Sequence, residues 1–201
     1  LLIITLLYRV AKRHVNSISA LVLSMLYAMN PLTYLAGAAW GQVDSLPSLL
    51  LMLAVLLIID KRWRFALPVY VLAVLMKPQA LMVGPLGLIA LVMAFVWKKD
   101  KGLWKDVLIG TGASLLVIAA VALPFFNEEN GVSWLIGLYG NTMSFYNYAS
   151  VNAFNLHFLF GQNWVCIQNP APFLLRLCGN LVVLVPSLLY GLHLRKKQEG
   201  F

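Results

Sequence analysis

SLLLMLAVLLI, residues 48–58, is apolar at every position after its serine and leaves no polar face. A membrane-spanning β-strand would alternate apolar and polar side chains, so a run of this kind predicts a helix with apolar material on all sides. Similar runs, close to the ~18–20 residues that cross a hydrocarbon layer, recur along the whole chain. They place spans at 1–8, 17–36, 46–59, 65–76, 80–97, 106–124 and 173–194, about seven crossings of which the first is truncated. The expected fold class is an all-α, polytopic transmembrane helix bundle that forms a single domain over 1–201.

Composition points the same way, since 61% of the residues are hydrophobic and only 11% are charged, far from the balance of a soluble domain. A net charge of +8 would suit nucleic acid, but the basic residues sit in short clusters at the ends of apolar runs, which argues against a nucleic-acid partner. The clusters are Arg9, Lys12 and Arg13; Lys61, Arg62 and Arg64; Lys98, Lys99, Lys101 and Lys105; and Arg195, Lys196 and Lys197. They occupy every second connection. By the positive-inside rule these connections are cytoplasmic, leaving Lys77 and Arg176 as the basic residues at or near the outer side. The chain opens at Leu1 inside an apolar run, without Met or a signal-peptide pattern, and is expected to be a fragment of a longer protein. There is no internal repeat or low-complexity linker.

The conspicuous polar residues collect in the opposite connections: Asp44, Lys77 with Gln79, and a long extracytoplasmic loop region at 125–172 bearing Glu128, Glu129, Asn152, Asn155 and His157. That loop is rich in aromatics, among them Trp134, Tyr139, Phe145, Tyr146, Tyr148, Phe154 and Trp164, and is expected to lie on the membrane surface. Within it VSWLIGLYG (132–140) predicts an interfacial helix and VNAFNLHFLFG (151–161) a half-helix dipping into the bilayer. The span at 65–76 is too short to cross unaided, and Pro78 and Pro85 interrupt the next apolar run, so a broken helix or re-entrant turn is expected near Lys77.

Several of these residues admit two roles. Asp44, with Ser45 beside it and Pro47 in the first turn, either caps the adjoining helix or joins Trp40, Gly41 and Gln42 in a polar-ligand site, where the indole stacks on a sugar and the amide donates and accepts. Lys77 either offsets a helix C-terminal dipole and snorkels to the interface, or binds a lipid-linked phosphate as a compact point charge, with Gln79 orienting a hydroxyl or phosphate oxygen. Asn152 and Asn155 are three apart and would share a helical face; His157 is either a hydrogen-bonded structural residue or a general base. Glu128 and Glu129 are adjacent, and read as solvated loop charges or as metal or catalytic ligands. Cys166 and Cys178 match no metal pattern; an oxidising outer compartment would sustain a disulfide, and otherwise they are unpaired thiols.

WGQVDS (40–45), KPQALMVGP (77–85) and YASVNAFNLH (148–157), taken in that order and on one side of the membrane, resemble the multi-spanning GT-C glycosyltransferases over roughly residues 30–165. The likeness is to bacterial, mannosyltransferase-like members, and more distantly to the dolichyl-phosphate-glucose glucosyltransferases of N-glycan assembly. The resemblance implies part of a GT-C-like architecture, in the bacterial plasma membrane, that takes a sugar from a polyprenyl-phosphate carrier on the extracytoplasmic face and transfers it to a lipid-linked glycan, polymer or protein. It would place Trp40, Gln42 and Asp44 near the active-site cavity, Lys77 and Gln79 near the donor phosphate, and Asn152 and Asn155 in the cavity wall. Family members carry an acidic residue, the expected catalytic base, in a first outer loop that would precede residue 1. Asp44 is then a binding residue or an alternative base, and the isolated 201 residues are expected to be inactive.

No dinucleotide or phosphate-loop fingerprint is present, so no soluble nucleotide cofactor is indicated; no residue is assigned to a metal, and a divalent ion stays compatible with the chemistry. The competing function is a membrane transporter or lipid flippase, since broken helices and intramembrane charges also mark substrate pathways. Polar residues on one face and the absence of an inverted repeat favour glycosyl transfer.

Overall fold

The structure is a computed structural model and describes residues 1–35, 39, 41, 43–96, 102–126, 133–144, 147–151 and 155–199. Among these residues it is all-helical, without a β-strand. The helices are α1 (Leu2–Ala11), α2 (Ser17–Ala28), α3 (Pro31–Tyr34), α4 (Ser45–Ile59), α5 (Trp63–Met76), α6 (Gly84–Val96), α7 (Leu103–Ala122), α8 (Ser133–Ser144), α9 (Leu156–Leu159) and α10 (Pro170–Glu199). Short 3-10 turns at Pro78–Val83 and Leu123–Phe125 lead into α6 and out of α7.

Three segments among the described residues are long and apolar enough to cross a membrane: Pro78–Val96, Leu103–Phe125 and Pro170–Leu189. This is fewer than the seven crossings expected, and the reason lies in where the helices break. At 1.5 Å per residue, α1, α2, α4 and α5 measure about 15–22 Å, short of the ~30 Å hydrocarbon layer. The span expected at 17–36 stops at Ala28. Pro31 holds Asn30 in an extended conformation (ψ 120°), and the Asn30 side chain accepts the Leu32 amide at 2.9 Å to start a separate turn. The Thr33 hydroxyl donates to the Tyr27 carbonyl at 3.3 Å, an acceptor near the end of α2. The break expected near Lys77 is present: α5 ends at Met76, Lys77 is extended (φ −150°, ψ 111°), and the Pro78–Val83 turn comes next.

The chain divides into two compact units, residues 1–81 with 104–118 and residues 82–103 with 119–201. In the first, α1 packs on α2 and α4 on α5, with α1 also touching α4. The connection between α4 and α5 is a tight reversal. Lys61 takes a left-handed conformation (φ 58°) so that its amide reaches the Ile58 carbonyl at 3.0 Å and the Arg62 amide the Leu57 carbonyl at 2.7 Å. Those two bonds are a Schellman closure, with lysine where glycine is usual.

The packing reverses the pattern of a water-soluble protein. The buried residues are mostly small, Ala20, Ser24, Ala54, Ala66, Ala73, Ala80 and Ser114, together with Trp63, whereas Ile18 is 77% exposed and Leu116 72%. Helices in lipid associate through small residues that let backbones approach, and their large aliphatic side chains face the hydrocarbon. Gly110 of α7 shows how close that approach is: a Cβ there would meet the Trp63 carbonyl oxygen and Leu67 Cδ1 at 3.0 Å, and Arg64 Cα at 3.1 Å. Four residues on, the Ser114 hydroxyl is buried and donates to the Gly110 carbonyl at 2.8 Å. In the second unit α6 packs on α10, and the Phe125 and Trp134 rings, 6.3 Å apart, join the end of α7 to the start of α8.

Gly110 and Gly112 differ in a way that thermal unfolding in detergent micelles can measure. Gly112→Ala meets nothing within 4 Å and is expected to stabilise by about 0.5–1 kcal/mol through helix propensity. Gly110→Leu drives α7 off the first turn of α5 and is expected to destabilise by about 1–3 kcal/mol.

Candidate functional site

Asp44 and Lys77, 33 residues apart in sequence, form an ion pair in which the Lys77 ammonium donates to Asp44 Oδ1. The helices set this up. α4 begins directly after Asp44, α5 ends directly before Lys77, and the two are nearly equal in length, so antiparallel packing brings their open ends level. Asp44 occupies the N-cap position of α4, yet its side chain accepts no capping hydrogen bond. The capping role is therefore not the one it plays: the carboxylate is turned to Lys77, while its carbonyl accepts the Ser48 hydroxyl at 2.7 Å. Lys77 in turn does not simply snorkel away from a helix end. The Lys77 and Asp44 side chains keep 35% and 42% of their surface exposed, so an incoming charged group can reach both.

A groove of about 580 Å³ opens beside Asp44. Leu2, Ile4, Leu32, Leu46 and Leu49 make its walls, and Thr33, Ser45 and Ser48 add hydroxyl-bearing side chains.

The backbone behind Lys77 is held by Tyr70, whose hydroxyl donates to the Ala80 carbonyl at 3.3 Å. A 3-10 turn in apolar surroundings leaves carbonyls that need such donors. Tyr70 was not among the residues singled out from the sequence; the signal was a phenol in an otherwise apolar run just before a proline break. Gln79, on the same turn, is exposed.

The remaining expected site residues fall elsewhere. Trp40, Gln42, Asn152, Glu128 and Glu129 lie outside the described residues. Asn155 and His157 belong to the second unit. Asn155 is not on a helical face: it is extended (φ −129°, ψ 179°), and its side chain accepts the Phe158 amide at 3.0 Å as the N-cap of α9. The half-helix expected at 151–161 is thus a single described turn, Leu156–Leu159. His157 Nδ1 lies 2.7 Å from Gln162 Oε1, a side-chain hydrogen bond that holds the ring against the turn. No sequence rule would have named Gln162 as its partner.

Residues 133–140 of VSWLIGLYG lie in helix α8, and burial there pushes the Tyr139 phenol above its ordinary value of 10.0. Cys166 and Cys178 are both unpaired. Among the described residues no three His, Cys, Asp or Glu side chains gather as a metal site would require.

Fold and site together define a helical protein that, among the described residues, has three helices long and apolar enough to cross a membrane and joins two polar segments through an ion pair. No known protein family, curated protein or solved structure matches the chain.

The ion pair is tested by a double-mutant cycle on Asp44→Asn and Lys77→Met, read by thermal unfolding in lipid nanodiscs. With both groups about a third or more exposed, a coupling of about 0.2–1 kcal/mol is expected; zero coupling would show that the two groups do not support each other. Tyr70→Phe strips the Ala80 carbonyl of its donor and is expected to destabilise by about 1–3 kcal/mol.

Proposed function

We propose that the chain is the membrane part of a glycosyltransferase that takes a sugar from a polyprenyl-phosphate-linked donor on the extracytoplasmic face and delivers it to a lipid-linked glycan, polymer or protein. The observation that supports this reading is the meeting of Asp44 and Lys77. The WGQVDS and KPQ segments resemble two separate motifs of the GT-C enzymes, and the hairpin of α4 and α5 brings one charged residue of each to a common point beside an apolar groove.

The chemistry assigned to this point is displacement at the anomeric carbon. The acceptor hydroxyl oxygen attacks that carbon, the bond to the phosphate oxygen breaks, and the hydroxyl proton passes to a carboxylate. Lys77 stabilises the charge that develops on the departing lipid phosphate. Asp44 holds the ammonium until the phosphate takes its place, and then orients the acceptor or donor sugar. The resemblance assigns the base to an acidic residue of an outer loop, with Asp44 the candidate among the residues of this chain. Trp40, Gln42 and Gln79 complete the donor subsite in this scheme. A divalent ion is compatible with the scheme and not required by it.

Sidedness within the first unit supports the same reading. Arg13 reaches Asp60 at 3.7 Å and Arg64 reaches Asp106 at 3.8 Å, so the α1–α2 and α4–α5 connections and the first turn of α7 carry ion pairs at the end of the α4–α5 hairpin opposite Asp44 and Lys77. With the basic end cytoplasmic, the ion pair faces outward, and the short helices serve as partial crossings around it. A transporter or lipid flippase is the second reading, favoured by the unwound backbone between α5 and α6.

The test is transfer of radiolabelled sugar from a panel of polyprenyl-phosphate donors, in membranes of cells expressing the protein from its complete reading frame. Asp44→Asn and Lys77→Met are each expected to lower transfer at least tenfold at unchanged protein level. Native rates in both variants would overturn the site assignment, and no transfer from any donor would favour transport.

A further inference from the structure

We propose that the loop around α9 is a lipid-inserting anchor, with Leu159 and Phe160 entering the acyl region and Tyr148 and Trp164 resting among the headgroups. The anchor lies in the second unit alone and stands apart from the glycosyl-transfer reading.

The turn is built to be apolar outside and complete inside. Leu159 is 77% exposed, Phe160 66% and Leu156 58%, a continuous apolar tip on the short α9 turn. Its backbone is closed on itself. Asn155 accepts the Phe158 amide; the Leu159 and Phe160 amides reach the Asn155 and Leu156 carbonyls, both at 3.1 Å. Gly161, at φ 67°, lets its own amide reach the Phe158 carbonyl at 3.0 Å and the Gln162 amide the His157 carbonyl at 2.8 Å. The His157–Gln162 side-chain bond doubles that last link.

Below the tip the chain narrows to a paired neck. The Ala149 amide bonds the Val165 carbonyl, the Trp164 amide the Ser150 carbonyl and the Ile167 amide the Asn147 carbonyl, each at 2.8 Å. Tyr148 and Trp164 stack edge to face across it, with ring centroids 5.3 Å apart. Rings of this kind, each with a polar handle, prefer the membrane–water boundary.

Two features commit the tip to lipid. From 130 to 175 the sequence contains no Asp, Glu, Lys or Arg, so no ionised carboxylate, ammonium or guanidinium has to be carried to the membrane with the tip. The neck also ends at Ile167, three residues before Pro170 opens a candidate membrane span. Three extended residues reach about 10 Å at most, so the neck stays within reach of the bilayer surface.

The experiment uses the full chain in lipid nanodiscs, with Cys166→Ser and Cys178→Ser as background and a nitroxide label on Leu159→Cys or Phe160→Cys. Label collisions with oxygen, which partitions into lipid, are compared with those of a water-soluble nickel chelate; a label on Lys61→Cys is the aqueous reference. Oxygen is expected to dominate at 159 and 160 by several-fold relative to 61. Collision ratios equal to those at 61 would place the tip in water and overturn the proposal. Protection from both reagents would show a protein covering and overturn it equally. Two label positions guard against one substitution disturbing the turn, and donor-sugar transfer is not part of the readout.

Discussion

In a hydrocarbon surrounding there is no water to take up an unpaired amide or carbonyl, and each one left over costs several kcal/mol. Several helix ends of this protein are closed within the chain, and those that lie in its apolar runs answer that constraint. Helices that end early need donors and acceptors supplied at their ends. Asn16 accepts the Ser19 amide, Asn30 the Leu32 amide and Asn155 the Phe158 amide, each closing an N-terminus. Lys61 and Gly161 close C-termini through left-handed residues, and Tyr70 serves a carbonyl of the 3-10 turn. Hydroxyls within the helices turn inward on their own backbone: Ser24 to Ala20 and Thr111 to Val107, both at 2.8 Å.

The same surroundings govern packing. With large aliphatic side chains gaining little by leaving lipid for one another, adhesion between helices depends on close approach of backbones. Gly110, Ser114, Ala66 and Ala73 supply it in the first unit. That unit places its ion pairs at the ends of helices: Arg13–Asp60 joins the residues that follow α1 and α4, and Arg64–Asp106 joins the first turns of α5 and α7. Close packing and ion pairing reinforce each other there, since Gly110 meets α5 at the same first turn that carries Arg64.

Helical class was readable from 48–58 because a run with no polar face has one solution in lipid. The number of spans was not, since hydropathy reports how many residues are apolar and not whether one helix contains them. The run 17–36 is apolar nearly throughout, and only the dipeptide Asn30–Pro31 gives its division away. The break at Lys77 was legible for the converse reason: a charge with proline directly after it cannot sit inside a helix without consequence. Asp44 and Lys77 could each be singled out, but not their pairing, which depends on α4 and α5 matching in length and on Lys61 turning the chain back. Asn155 and His157 were noticed for their polarity and prove to be engaged in closing α9, a local role that spacing alone did not separate from ligand binding.

The ion pair is best understood through the exposure of its partners. A carboxylate beside an apolar groove and an ammonium on an unwound turn, each about a third or more exposed, attract each other modestly through partly screening solvent. In the proposed function a lipid phosphate takes the place of Asp44 at Lys77, and the partial exposure of both side chains leaves the pair open to that exchange.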